Sequence, residues 1–186
     1  GDVYKRQLYY LYNCLYPTHP SFNYVILKKN GQIIKILNGE TINLRPKDHI
    51  KVIKISTDIC LNRGVHLYCG YMDITAAIYE EMSIAQLAKN IDLFEEHIFD
   101  VDVKLYTRKL GNFKIVVKPA PQDILDRAQR IINIELRIAF LKKALKIYPY
   151  NREIKRALIN NYKESGRWNE LISLLKSCEP TRENLY

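Results

Sequence analysis

The hydrophobic pattern of the chain changes period at Pro119-Ala120-Pro121. From Ser21 to these prolines, apolar residues alternate with polar ones, which is the period of a strand with one buried face. Beyond them, apolar residues recur at three- and four-residue spacing, which is typical of an amphipathic helix. The sequence therefore predicts an α+β protein with a β domain over residues 21–119 and a helical domain over residues 120–186.

Turn signals divide the first domain into short strands. The clearest is Asn30-Gly31 between two β-branched runs, because both residues of a tight hairpin turn must accept positive φ. Three further turns are predicted at Asn38-Gly39, Arg45-Pro46-Lys47-Asp48 and Leu110-Gly111-Asn112. Six or seven strands separated in this way predict an antiparallel β-sandwich, and the pattern favours an immunoglobulin-like arrangement. The Cys-Trp-Cys signature of true immunoglobulin domains is absent.

The middle of this domain carries one helix signal. Ser83 and Gln86 have the spacing of a capping box, in which each side chain bonds the other residue's backbone N–H. A short helix is therefore predicted to run from here through Lys89.

Residues 1–20 are excluded from the fold. The opening Gly-Asp-Val-Tyr-Lys-Arg-Gln resembles translated adaptor sequence, so we interpret this stretch as a scar and linker. Residues 8–17 are apolar, but they are half as long as the roughly 20 residues that span a bilayer. Membrane contact is expected only through an anchor missing from the N-terminus.

The helical domain shows one internal period. Residues 135–175 read as helix, Pro-Tyr-Asn break, helix, Ser-Gly break, helix. Leu141 and Ala144 recur 34 positions later as Leu175 and Cys178. This is the period of the tetratricopeptide repeat (TPR), a stack of antiparallel helix pairs, which the domain resembles.

Several positions match the TPR motif. The predicted repeat-core residues are Leu141, Ala144, Pro149, Leu158, Gly166, Trp168 and Leu175. Pro149 closes one helix and Gly166 ends another by accepting a left-handed conformation. Arg137 and Leu171 depart from the motif, which prefers alanine at both places, and Glu183 replaces the second closing proline. The alternative is an ordinary helical hairpin that caps the domain without a repeat function.

The TPR resemblance implies a binding surface. Stacked helix pairs leave a concave groove that holds an extended or helical peptide of a partner protein. Lys155, Ile159 and Tyr162 are the candidate groove residues, and the module is expected to be a monomer. The resemblance also implies further repeats beyond Tyr186, since about three are needed for a stable stack. If Trp168 lies in the core, its replacement by alanine would cost about 3–5 kcal/mol.

No catalytic, cofactor or metal site is predicted. The four cysteines form no Cys-x-x-Cys pair, and no phosphate loop, nucleophile elbow or His-Glu-x-x-His occurs. His66 and Cys69 lie on a strand pattern that sends them to opposite faces. Cys60 and Cys69 are either a disulfide of an oxidising compartment or two small buried hydrophobes. We do not expect an enzyme.

The net charge of +9 is spread through both domains rather than gathered in one run. A dispersed excess gives little steering, so nucleic-acid binding is not expected. The sequence favours a non-catalytic interaction or scaffold module. The alternative is an accessory region of a larger bacterial cell-envelope hydrolase, because residues 31–55 faintly resemble immunoglobulin-like domains appended to secreted hydrolases. The periplasmic side of the envelope is accordingly favoured over the cytoplasm.

Overall fold

The computed structural model describes residues 3–8, 20–58, 64–87 and 91–176. Residues 3–8 are helical. The chain divides into two compact units, Gly1–Lys118 and Pro119–Tyr186. All strands of the described ranges belong to the first unit, whereas the second contains helices. The predicted α+β class, with strands first and helices last, is confirmed.

In the described residues of the first unit, nine strands form two sheets. They are β1 (Phe22–Lys29), β2 (Gln32–Leu37), β3 (Thr41–Leu44), β4 (His49–Thr57), β5 (Val65–Cys69), β6 (Met72–Asp73), β7 (Met82–Ser83), β8 (His97–Leu105) and β9 (Arg108–Val117). The first sheet has the strand order β2-β1-β4-β7. The second has the order β3-β9-β8-β5-β6.

The hairpin predicted at Asn30-Gly31 is confirmed. β1 and β2 pair antiparallel around this turn, where the two residues have φ of 46° and 91°. Asparagine suits position 30 because it adopts the left-handed region more readily than most residues other than glycine. Its amide Nδ2 donates to Asp48 Oδ1 at 2.7 Å, and its Oδ1 accepts from the His49 N–H at 3.0 Å. The turn is thereby tied to the start of β4.

The first unit is not antiparallel throughout, so that part of the prediction is wrong. β3 pairs parallel with β9, with Ile42 opposite Ile115. The turn at Asn38-Gly39 carries the chain from the first sheet to the second, and the Gly39 N–H donates to the Asn112 carbonyl at 2.7 Å. Side chains alternate in parallel and antiparallel strands alike. The period of the sequence therefore could not show the direction of β3.

The turn predicted at Leu110-Gly111-Asn112 is also wrong. The β8–β9 hairpin turns at Tyr106-Thr107, where Tyr106 has φ 53°, and Gly111 lies inside β9. Glycine is needed there for space, because a Cβ would lie 2.5 Å from Asn38 Oδ1. That oxygen accepts a hydrogen bond from the Asn112 N–H at 3.1 Å. Gly111 thus marks a close approach to the Asn38 side chain.

Both sheets contribute to one hydrophobic core. Ile50, Val52 and Ile55 of β4 face inward as predicted, with exposures of 0%, 2% and 3%. The second sheet adds residues such as Leu67 and Phe113, which are fully buried. Two short helices, α1 (Thr75–Glu80) and α2 (Ile84–Leu87), supply further core residues.

The start of α2 shows half of the predicted capping box. The Ser83 N–H donates to Gln86 Oε1 at 2.8 Å. The predicted continuation of this helix through Lys89 falls on residues outside the described ranges.

The second unit, as far as residue 176, has four helices: α3 (Pro121–Gln129), α4 (Ile134–Ile147), α5 (Arg152–Glu164) and α6 (Trp168–Lys176). Consecutive helices contact each other, and α3 also contacts α5. Asn133 and Asn151 cap α4 and α5, because their side chains accept the first backbone N–H groups. Short connections of this kind favour antiparallel packing of neighbouring helices.

Candidate peptide-binding surface of the helical unit

The core of the helical unit contains three of the predicted repeat-core residues. Leu141, Ala144 and Leu158 are 0%, 0% and 2% exposed. Pro149 lies in the turn after α4, and Gly166 follows α5 with φ 70°. Pro149 and Gly166 therefore stand where helices end, since proline cannot continue a helix and glycine accepts positive φ.

The prediction that Trp168 and Leu175 lie in the core is wrong. Their exposed fractions are 58% and 47%, and Ile172 between them is 50% exposed. These three residues lie along one side of α6, since they follow a four- and three-residue spacing. The core residue of α6 is instead Leu171, which is 5% exposed. The three exposed residues, which we call the α6 stripe, lie beside the buried face.

Tyr162 cannot line an open groove, so that prediction is wrong as well. It is 3% exposed, and the guanidinium carbon of Arg167 lies 5.9 Å from its ring centre. Burial raises the pKa of the Tyr162 hydroxyl, and the charge of Glu170 acts in the same direction. Tyr162 is therefore a structural residue of the helical core.

Arg167 joins the starts of two helices. Its Nη1 donates to Glu135 of α4 at 2.8 Å, and its Nη2 donates to Glu170 of α6. The hydrogen bond to Glu170, together with both carboxylate charges, raises the pKa of Arg167. The guanidinium fork thereby links α6 to α4.

Arg137 explains one departure from the TPR motif. Its Nε donates to the Ile131 carbonyl at 2.9 Å and its Nη2 to the Ile132 carbonyl at 3.3 Å, which satisfies acceptors beyond the end of α3. Its Nη1 donates to Asn161 Oδ1 at 3.3 Å. Asn161 is only 7% exposed, and its Nδ2 donates to the Ala157 carbonyl at 2.7 Å. Arg137 therefore joins the α3–α4 connection to α5.

The remaining groove candidates, Lys155 and Ile159, are half-buried on α5 and one turn apart. Leu125 stands 34 positions before Ile159 and is half-buried on α3, the helix that contacts α5. We call Leu125, Lys155 and Ile159 the groove row. Leu125 is not among the groove residues predicted from the sequence, although it stands one 34-residue period before Ile159.

Polar clusters of the first unit have structural roles. His66 Nδ1 lies 2.9 Å from Asp73 Oδ2, but the other oxygen of Asp73 accepts from the Thr75 N–H at 2.9 Å and so holds the first turn of α1. Burial raises the pKa of the Cys69 thiol, and Asp100 adds to the effect. Cys60, with which a disulfide is one of the two predicted alternatives, lies outside the described residues.

Among the residues that the structure describes, no group of three or more His, Cys, Asp or Glu side chains could hold a metal ion. None of the helices described is both long and apolar enough to cross a bilayer. No protein-family model, curated protein or solved structure matches the chain.

Proposed function

We propose that the chain is a non-catalytic protein–protein interaction module that holds a peptide segment of a partner protein against the groove row. The observation that carries this proposal is the partial exposure of Leu125, Lys155 and Ile159 on two helices that contact each other. Leu125 and Ile159 supply apolar contact area, and the ammonium group of Lys155 favours an acidic residue in the peptide.

We propose that the four helices are two TPR-like pairs, α3 with α4 and α5 with α6. The 34-residue period and the positions of Pro149 and Gly166 support this reading. The contact of α3 with α5 supports it as well, since stacking brings each repeat against its neighbour. The α6 stripe is the surface that a further helix of such a stack would cover.

We also propose that the first unit is an immunoglobulin-like β-sandwich. In that fold, strands A, B and E share one sheet, while C, F and G share the other. The neighbours β1, β4 and β7 would correspond to A, B and E, and the neighbours β5, β8 and β9 to C, F and G. The shared core of the two sheets supports the assignment. In this proposal, the first unit is a structural domain attached to the peptide-binding helices.

The proposal is tested with peptides selected from a random display library on the immobilised full chain. Their affinity is then measured by fluorescence anisotropy for the parent and for Lys155→Glu. Reversing a charge that contacts an acidic residue removes an attraction and adds a repulsion, so we expect affinity to fall at least about tenfold.

Arg156→Glu is the matched control. It makes the same change in net charge at the neighbouring position, where the side chain is exposed on another side of α5. Its affinity should stay within about twofold of the parent, as expected for a charge outside the contact. Equal losses in the two variants, or a library that yields no peptide, would contradict the proposed binding surface.

A further inference from the structure

The outward side of the first sheet carries a group of basic and aliphatic side chains. Its inward side is the core side, where Val25, Leu27, Val52 and Ile55 are buried. The outward residues that we call the basic face are Lys28, Lys35, Lys51, Lys54, Tyr24, Ile33, Leu37 and Ile53. They belong to three adjacent strands, so the face spans about 13 Å along β1 and about 10 Å across the strands.

The positive charge of this face is not compensated. Strands β1, β2, β4 and β7 contain no aspartate or glutamate. None of the four lysines forms an ion pair with another residue of the described ranges. Lys28 lies directly opposite Lys51, although like charges in opposed positions destabilise a sheet. An anionic partner would remove this repulsion.

The outward side of the second sheet shows the contrast. There Asp102 accepts from Lys109 at 2.6 Å and lies 3.7 Å from Lys104, and Lys114 lies 4.0 Å from Asp100. Lysines on that sheet are therefore interleaved with carboxylates. Of the two outward surfaces, the basic face is therefore the one whose positive charge is not balanced by carboxylates.

The uncharged residues of the basic face indicate the class of partner. Ile33, Ile53 and Leu37 are 73%, 49% and 44% exposed. Lys35 Nζ lies 4.3 Å and Lys54 Nζ lies 5.9 Å from the centre of the Tyr24 ring. These ammonium groups would compete with a nucleic-acid base for stacking on that ring. Aliphatic side chains among lysines instead match a surface that is anionic outside and apolar beneath.

We propose that the basic face binds the surface of a bilayer that contains anionic lipids. The ammonium groups of the four lysines contact lipid phosphates and carboxylates, while Ile33, Leu37 and Ile53 enter the headgroup region. Lysine suits this arrangement because its long apolar stem can lie along lipid while its charge stays in the polar layer. This surface belongs to the first unit, so the inference does not depend on peptide binding by the helices.

The test is co-sedimentation of the full chain with vesicles of phosphatidylcholine containing about 30% phosphatidylserine, an anionic lipid. Binding is expected to be weak to pure phosphatidylcholine and to fall as the salt is raised from roughly 0.1 M to roughly 0.5 M. Lys28→Gln/Lys51→Gln removes two charges that repel each other, so it should leave the fold intact. Its binding constant should fall about 25-fold, since each lysine near the surface contributes about fivefold.

Lys104→Gln/Lys109→Gln is the matched control, because it removes the same charge from the other sheet. Binding unchanged in the control and lost in the Lys28/Lys51 variant is the expected result. Equal loss in both, or no preference for anionic vesicles, would overturn the proposal.

Ile33→Ser separates a bilayer from other polyanions. If Ile33 enters the headgroup region, its replacement by serine should weaken vesicle binding about threefold or more, because apolar area is lost from contact with lipid. A single-stranded oligonucleotide and a polyglutamate peptide are the competing probes. Tighter binding of either one than of vesicles, together with no effect of Ile33→Ser, would overturn the proposal in favour of that class of partner.

Discussion

Replacing Arg137 by alanine would install the residue that the TPR motif prefers, yet the structure predicts a loss of stability. The change removes donors to the carbonyls of Ile131 and Ile132 and to the side chain of Asn161. A hydrogen bond from a charged group contributes about 1.5–3 kcal/mol, and a buried acceptor left without its partner costs about 1–3 kcal/mol. Because the Arg137 side chain is 23% exposed and two of its three bonds are 3.3 Å long, water replaces part of this contribution. We expect the free energy of unfolding of the helical unit to fall by about 2 kcal/mol.

Urea unfolding of the full chain measures this change. Trp168 is the single tryptophan and lies on α6, so its fluorescence reports on the helical unit. Arg137→Lys should recover little, because an ammonium group lacks the planar fork that reaches three acceptors. Glu164→Gln is the control: it removes only the exposed 3.8 Å ion pair to Arg137, which is expected to contribute less than about 0.5 kcal/mol.

An Arg137→Ala variant as stable as the parent would refute this reasoning. It would show that the arginine contacts add no net stability and that alanine fits this position as the motif prefers. A loss as large in Glu164→Gln as in Arg137→Ala would place the stabilisation in the ion pair rather than in the hydrogen bonds.

Three further predictions concern stability. Leu141→Ala should cost about 2–5 kcal/mol because Leu141 is fully buried, whereas Trp168→Ala at an exposed site should cost less than about 1 kcal/mol; equal losses in urea unfolding followed by circular dichroism, which needs no tryptophan, would contradict the burial described. Gly111→Ala should cost about 1 kcal/mol by displacing the Asn38 acceptor, and an Asn38→Ala background, tested in the same assay, should remove most of the effect. Burial alone would raise the pKa of Asp48. Hydrogen bonds from its neighbours lower that pKa by a larger amount, so the pKa in the folded state lies below the unfolded value of about 3.9. The carboxylate therefore adds stability above that pH and loses it as the pH falls through the lower, folded pKa; the loss should be smaller in Asp48→Asn when thermal unfolding is followed by circular dichroism.

Features that depend on a few neighbouring residues were predicted most reliably. Asn30-Gly31 forms its hairpin because the required positive φ is a property of those two residues. Gly166 ends α5 for the same kind of reason, with φ 70°. Ile50 and Val52 of β4 face inward by alternation, since every second side chain of a strand lies on the same face. Ile55 faces inward because the register with β1 shifts between Val52 and Lys54, which leaves Ile53 as an extra residue.

Features that depend on distant partners could not be predicted. Gly111 looks like a turn residue in the sequence, but its role depends on Asn38, which approaches it from another part of the chain. The burial of Tyr162 and the exposure of Trp168 depend on where Arg167 and the neighbouring helices lie. A helical period identifies an apolar stripe, but it does not say which part of a wide stripe meets the core.

The most direct test of peptide binding by the helical unit is a nuclear magnetic resonance titration of the isotope-labelled full chain with a selected peptide. Backbone amide resonances report which residues meet the ligand. The account predicts that the largest shifts occur on α3 and α5, centred on Leu125, Lys155 and Ile159. Shifts centred on the α6 stripe or confined to the first unit would contradict it.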